Sequence, residues 1–328
     1  MKKKQLLSVS EYLDGIKAGN RFILGQAITL VESNKPAHRA MAQEILSKCQ
    51  TNTKTTCRVG ITGSPGVGKS TFIEALGMEL ITKGHHLAVL TIDPSSQLTK
   101  GSILGDKTRM NKLAASENAF IRPSPSGSTL GGVARNTKET ILLCEAAGFD
   151  FLFVETVGVG QSEIAVHYMT DLFVLLLLPG AGDELQGIKK GVVEMADLLI
   201  VNKSDGDREQ LAEHTRRSYL SALKLFPGRN HRQGVQILTC SALNGKGLDE
   251  VSNYLEAYST EKEAISSRRL LQDKYWLRQT IESGLKASFF DNPDLKSALI
   301  EEEKSILDGK TSPFQAAERL LNLYKKYF

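Results

Sequence analysis

Residues 60–71, GITGSPGVGKST, decide how the rest of the chain is read. Gly63 to Ser70 fit G-x-x-x-x-G-K-[ST], and the fit is credible because an apolar run, CRVGIT, precedes it and a helix-forming stretch follows. The glycines let the backbone of Gly63, Ser64, Pro65, Gly66, Val67 and Gly68 wrap phosphate oxygens with its N–H groups. Pro65 lacks the N–H, so its neighbours supply the donors. Lys69 is suited to bridge the outer phosphates and Ser70 to hold Mg²⁺, while Thr71 continues the helix whose positive N-terminus faces the same anion.

Working outward, short apolar runs alternate with helical stretches from Cys57 to about Tyr258. CRVGIT, HLAVLTI, FDFLFVET, DLFVLLLL, DLLIVN and VQILTC read as strands. Several are apolar at consecutive positions, as in strands buried on both faces of a mostly parallel sheet. The pattern predicts an α/β doubly wound P-loop domain over residues 55–260, with ligands at the carboxyl ends of its strands. Before it, residues 1–54 carry apolar positions at helical spacing, opened by a capping box at Ser8 and Glu11. After it, residues 261–328 form an amphipathic helical extension, its last helix started by Ser312 with Pro313 in the first position.

Three acids lie where a nucleotide's metal and attacking water would sit. Glu155 ends FDFLFVET and stands three residues before Gly158, whose N–H can meet a γ-phosphate; the glutamate is read as reaching the metal through a water. Asp93 follows the second strand and Asp106 lies in the loop beyond, both suited to the magnesium or the water. Lys69, Asp93, Asp106 and Glu155 are therefore the catalytic candidates, and Ser70, Asp93, Asp106 and Glu155 the metal candidates.

The base is read from LLIVNKSDGD. Asn202, Lys203 and Asp205 form N-K-x-D, and an aspartate accepts both N–H donors of guanine, a pair that adenine lacks. Ser241, Ala242 and Leu243 follow the last strand, where a backbone N–H can meet the guanine carbonyl. GTP is favoured over ATP.

Composition excludes other classes. With 41 basic and 37 acidic residues the charge is +4, too small for a nucleic-acid or membrane footprint. No apolar run approaches the roughly 18 residues of a membrane span, and the chain is expected to be cytoplasmic. The four cysteines, Cys49, Cys57, Cys144 and Cys240, are dispersed, which argues against disulfides or zinc. Adjacent His85 and His86 point apart on a turn or strand and are not read as metal ligands.

The motifs GSPGVGKST, IDPSS, GSILGDKTRM, RPSPSGSTLGGVAR, VETVGVGQSE, GAGDELQGIKKG and NKSDGD together cover most of the middle domain. In this combination the chain resembles the MeaB/ArgK/MMAA group of P-loop GTPases, which assist cobalamin-dependent acyl-CoA mutases, chiefly methylmalonyl-CoA mutase. The resemblance implies Mg²⁺ bound around Ser70, Asp93, Asp106 and Glu155. It implies a homodimer built through the C-terminal helices, and a third switch loop carrying Asp183, Gln186 and Lys189 that couples nucleotide state to the mutase. Lys100, Asn136 and the order of PSGST depart from the group's pattern, outside the nucleotide motifs.

Val159 follows Gly158 where Ras-like enzymes place a water-orienting glutamine, so slow hydrolysis completed by a partner is expected. Competing readings are a nickel-type metallochaperone GTPase, an ATP-dependent kinase of a periplasmic amino-acid transport system, and an assembly protein that binds GTP without hydrolysis. The 6 histidines and dispersed cysteines weigh against the first and Asp205 against the second.

Overall fold

The computed structural model describes residues 6–49, 56–92, 110–123, 130–156, 162–180, 190–224 and 235–326. Three helices open the chain, α1 (Val9–Lys17), α2 (Arg21–Val31) and α3 (Pro36–Cys49). There follow β1 (Cys57–Gly63), α4 (Lys69–Thr82), β2 (Leu87–Ile92), α5 (Asn111–Ala115), β3 (Ala119–Pro123), α6 (Leu130–Ala146) and β4 (Phe151–Thr156). Next come α7 (Ser162–His167), β5 (Leu172–Leu177), α8 (Lys190–Met195), β6 (Leu198–Val201), a 3₁₀ turn (Gly206–Arg208), α9 (Glu209–Leu223), β7 (Gln236–Thr239) and α10 (Leu248–Ser259). The chain ends in α11 (Lys262–Phe290), α12 (Pro293–Leu307) and α13 (Pro313–Lys325).

The strands form one seven-stranded sheet in the order β3-β2-β4-β1-β5-β6-β7, and every pairing is parallel. β1, β4 and β5 are buried at every position, which is why their sequences are mostly apolar. β1 lies between β4 and β5, where the strand order turns from one half of the sheet to the other. Such a switch point opens a crevice beyond the strands' carboxyl ends, and the turn after Gly63 fills it.

The edge strand β3 is absent from the sequence reading. Its five residues alternate buried and half-buried and include Arg122 and Pro123, a weak signal that suits an edge position. The N-terminal helices pack on α6. The α2 residue Arg21 donates to the carbonyls of Ser116 (2.8 Å) and Ala119 (2.9 Å), and the α2 C-cap residue Glu32 pairs with Arg122, covering that edge. Ser8 and Glu11 form the expected capping box.

At the amino edge, Asp150, Asp171 and Asp197 each stand one residue before β4, β5 and β6. Asp171 is fully buried; it accepts from the Arg58 N–H at 2.9 Å and from Arg269 Nε and Nη2 at 2.7 and 2.6 Å. Asp197 accepts from the Phe173 N–H and pairs with Arg268, both at 2.8 Å. Gln272 Nε2 donates to the Thr170 carbonyl at 2.7 Å. The first turns of α11 are thereby fastened beneath the sheet, opposite the crevice.

The chain groups into two compact units, Met1–Gln272 and Asp273–Phe328. In the second, α12 packs on α13, Arg319 forks onto Glu302 at 2.7 and 2.5 Å, and Leu295, Ala316 and Leu320 are buried. Its helices also expose Leu277, Ile281, Leu285, Phe290, Ile300, Leu307, Phe314 and Leu321. Among the described residues no helix is long and apolar enough to cross a membrane.

Candidate functional site

The loop between β1 and α4 is built on glycine. Gly68 has φ +92°, and a Cβ there would stand 3.0 Å from Asn202 Nδ2, so the position demands both glycine's left-handed backbone and its missing side chain. Val67 is fully buried beneath the loop, whereas Pro65 and Gly66 are exposed. Lys69 bends back over the turn, its Nζ donating to the carbonyls of Gly63 (2.8 Å) and Ser64 (3.3 Å). Burial pushes the Lys69 ammonium below the usual lysine pKa, with the charges of Glu155 and Glu163 opposing.

Ser70 and Thr71 form the first turn of α4, with Thr71 exposed. Ser70 Oγ donates to Glu155 Oε1 at 3.3 Å. Glu155 is placed by register, beside Ile61 of β1 and Thr91 of β2, and is only 8% exposed. A hydroxyl and a carboxylate side by side at a helix N-terminus are hard oxygen ligands of the kind Mg²⁺ prefers, so these residues fit that ion.

On the base side, Asn202 joins three segments. It is 1% exposed, donates from Nδ2 to the Val67 carbonyl (2.9 Å) and accepts at Oδ1 from the Ala242 N–H (3.1 Å). Lys203 adopts φ +60°, and its Nζ donates to the Gly66 carbonyl at 2.7 Å, laying its stem along the phosphate turn. Asp205 Oδ1 accepts from Ser241 Oγ at 2.8 Å, which fixes the carboxylate's direction. The Ala242 N–H is thus engaged by Asn202, and Leu243 stands exposed beside it.

Gly63 to Thr71, Glu155, Asn202, Lys203, Asp205 and Ser241 to Leu243 therefore surround the carboxyl ends of β1, β4, β6 and β7. Asp93, Asp106, Gly158, Asp183, Gln186 and Lys189 lie outside the described residues.

Glu163, in the first turn of α7, escaped the sequence reading. It is 2% exposed and its charge acts on Lys69. The only signal for it was an acid opening an apolar stretch, which looks the same as a solvated helix start.

The His85 ring lies 2.8 Å from Asp150 Oδ2 and 3.1 Å from Glu256 Oε1, and among the described residues no group of three or more His, Cys, Asp or Glu is arranged to hold a metal. The four cysteines are free and buried.

A family model described as Methylmalonyl Co-A mutase-associated GTPase MeaB matches residues 24–294. The chain is 47% identical over 311 residues to a probable GTPase of Mycobacterium tuberculosis, covering 94% of this chain and 93% of that one. It is 42% identical over 335 residues to the mitochondrial methylmalonic aciduria type A homolog of Mus musculus, covering 98% and 81%. A crystal structure of a LAO/AO transport system kinase superposes with TM-score 0.75 at 36% identity, covering 98% of this chain and all of the other (100%).

Proposed function

The chain belongs to the MeaB family of P-loop GTPases, and from that premise we propose that it is a Mg²⁺-dependent GTPase chaperone of a cobalamin-dependent acyl-CoA mutase, methylmalonyl-CoA mutase being the partner favoured. The family membership makes it a GTP hydrolase; the metal, the partner and the cytoplasmic location are our reading. The observation that carries the nucleotide part of this reading is the joined site: Asn202 ties the phosphate turn to the base loop, so the two motifs act as one nucleotide cradle, while the mutase partner rests on the family membership.

In this reading the N–H groups of the turn and Lys69 grip the phosphates, and a phosphate oxygen replaces the carbonyls that Lys69 Nζ now contacts. Ser70, Glu155, Asp93 and Asp106 are the residues that would hold Mg²⁺, Glu155 already accepting from the Ser70 hydroxyl; the ion, when bound, would neutralise charge on the phosphates. Gly158 senses the γ-phosphate. Asp205, aimed by Ser241, receives the guanine N–H groups, and a backbone N–H from residues 241–243 meets the carbonyl. Water attacks the γ-phosphorus, and GDP and phosphate leave.

Asp183, Gln186 and Lys189 report nucleotide state to the mutase, governing cofactor loading and protection. The C-terminal extension from residue 261 dimerises through its exposed apolar side chains. The likeness to a transport system kinase offers a second reading, ATP-dependent phosphorylation. The Asp205–Ser241 geometry favours guanine, and competition between GTP and ATP decides.

The direct test is GTP hydrolysis with and without mutase and with and without Mg²⁺. Slow turnover that requires Mg²⁺ and rises with mutase supports the proposal. Turnover indifferent to both contradicts it.

A further inference from the structure

We propose that Thr156 is a positioning residue for GTP hydrolysis: its hydroxyl, bonded to that of Thr62, holds the carboxyl end of β4 against the start of the phosphate turn and so sets Glu155 on Ser70. The role rests on the GTPase reading of this site and on the assignment of Ser70 and Glu155 to Mg²⁺.

The placement comes from the sheet. Between β1 and β4 the register runs from Cys57 beside Phe151 to Ile61 beside Glu155 and ends there. Beyond that level each strand continues with its other neighbour, β1 with β5 as far as Gly63 beside Leu176, and β4 with β2 as far as Thr156 beside Ile92. The two halves of the sheet therefore part at the switch point, with the phosphate turn on one half and Glu155 on the other. A Cβ on Gly63 would stand 2.7 Å from the Leu176 carbonyl oxygen, so the base of the turn is seated on β5.

Across this parting Thr156 Oγ1 donates to Thr62 Oγ1 at 2.9 Å, and both residues are buried. Successive strand residues face opposite ways. With Glu155 directed to Ser70 on the α4 side, Thr156 lies on the other face, where Gly60 of β1 meets Val166 of α7. Buried hydroxyls are costly unless hydrogen-bonded, and valine would fill the same space without that cost. What the pair adds is direction: an O–H···O bond fixes the separation of the two strand ends, whereas apolar contact lets them slide. Glu155 immediately precedes Thr156 and the phosphate turn immediately follows Thr62, so a change in that separation passes into the 3.3 Å contact between Ser70 and Glu155.

The test compares Thr156→Val, Thr156→Ser and the paired Thr62→Val with Thr156→Val in the full chain, measuring kcat and KM for GTP, GDP affinity with and without Mg²⁺, and melting temperature. The paired variant replaces both hydroxyls by apolar groups of the same shape, which keeps folding close to that of the unaltered protein. The Mg²⁺ dependence of GDP affinity in the unaltered protein reports separately on the metal reading, and the kcat comparison decides the threonine's role whichever way that falls. We expect kcat to fall by about tenfold in Thr156→Val and in the paired variant, with KM and Mg²⁺-free GDP affinity within about twofold of the unaltered protein. The gain in GDP affinity from Mg²⁺ should shrink in both, and Thr156→Ser, which keeps the hydroxyl, should stand near the starting values. An unchanged kcat in the paired variant, a loss confined to melting temperature, or a Thr156→Ser variant as impaired as Thr156→Val would overturn the proposal.

Discussion

The Ser70 hydroxyl and the Glu155 carboxylate, 85 residues apart in sequence, meet at 3.3 Å beneath the phosphate turn. One residue stands at the start of a helix and the other at the end of a strand, so the sheet's register, rather than a flexible loop, sets their separation. In the proposed role of this pair as part of a metal site, little rearrangement is needed when the ion arrives.

That relationship makes Glu155→Gln informative. The amide keeps the shape and the Ser70 contact but removes the charge. GTP turnover at saturating nucleotide should fall on the order of 10²-fold, with GDP affinity in the absence of Mg²⁺ changed little. Steady-state kinetics across a Mg²⁺ titration checks this, and turnover close to that of the unaltered protein would remove Glu155 from the metal site.

Asn202→Ala should affect folding and binding together. It strands the buried Val67 carbonyl and Ala242 N–H, and each buried group left unpaired costs about 1–3 kcal/mol. Thermal melting should drop and guanine nucleotide affinity fall by more than about tenfold. Asp205→Ala, in contrast, should leave the melting temperature nearly unchanged while narrowing the preference for GTP over ATP, as nucleotide competition would reveal.

His85 gives stability a pH dependence. Burial lowers its pKa, but hydrogen bonds and charge from Asp150 and Glu256 outweigh that, leaving the folded value raised. The contribution is therefore fully present below the unfolded value of about 6.5 and is lost as pH rises through the raised folded value. His85→Gln should lower unfolding free energy more at acidic than at alkaline pH, measured by denaturant titration on both sides of neutrality. A pH-independent difference would show that the two carboxylates do not stabilise the charged ring.

The second compact unit exposes Leu277, Ile281 and Leu285 at steps of four residues along α11, one side of a helix. Covering that stripe with a second copy is the reading we favour. Ile281→Glu with Leu285→Glu should shift the protein from dimer to monomer in analytical ultracentrifugation while GDP still binds. A double variant with unchanged mass would place the interface elsewhere.

Much of this molecule was legible in its sequence because two periodicities and one phosphate motif coincide. The buried strands announce themselves by mostly apolar runs, and Gly63 to Ser70 by their spacing. The edge strand β3 was not legible, since two of its five residues are only half-buried and Arg122 reads as loop. Nor were the amino-edge Asp171 and Asp197, whose partners Arg269 and Arg268 lie far along the chain and meet them only when the sheet forms. Glu163 was hidden for a related reason: its burial depends on α7 closing over β1, a tertiary event with no local signature.

The central claim, that nucleotide state is read by a mutase, is tested most directly by titrating methylmalonyl-CoA mutase into the protein held with a nonhydrolysable GTP analogue or with GDP. Coupling requires different affinities in the two states, and the predicted difference is at least about fivefold, about 1 kcal/mol. Equal affinities in both nucleotide states, or no binding in either, would contradict it.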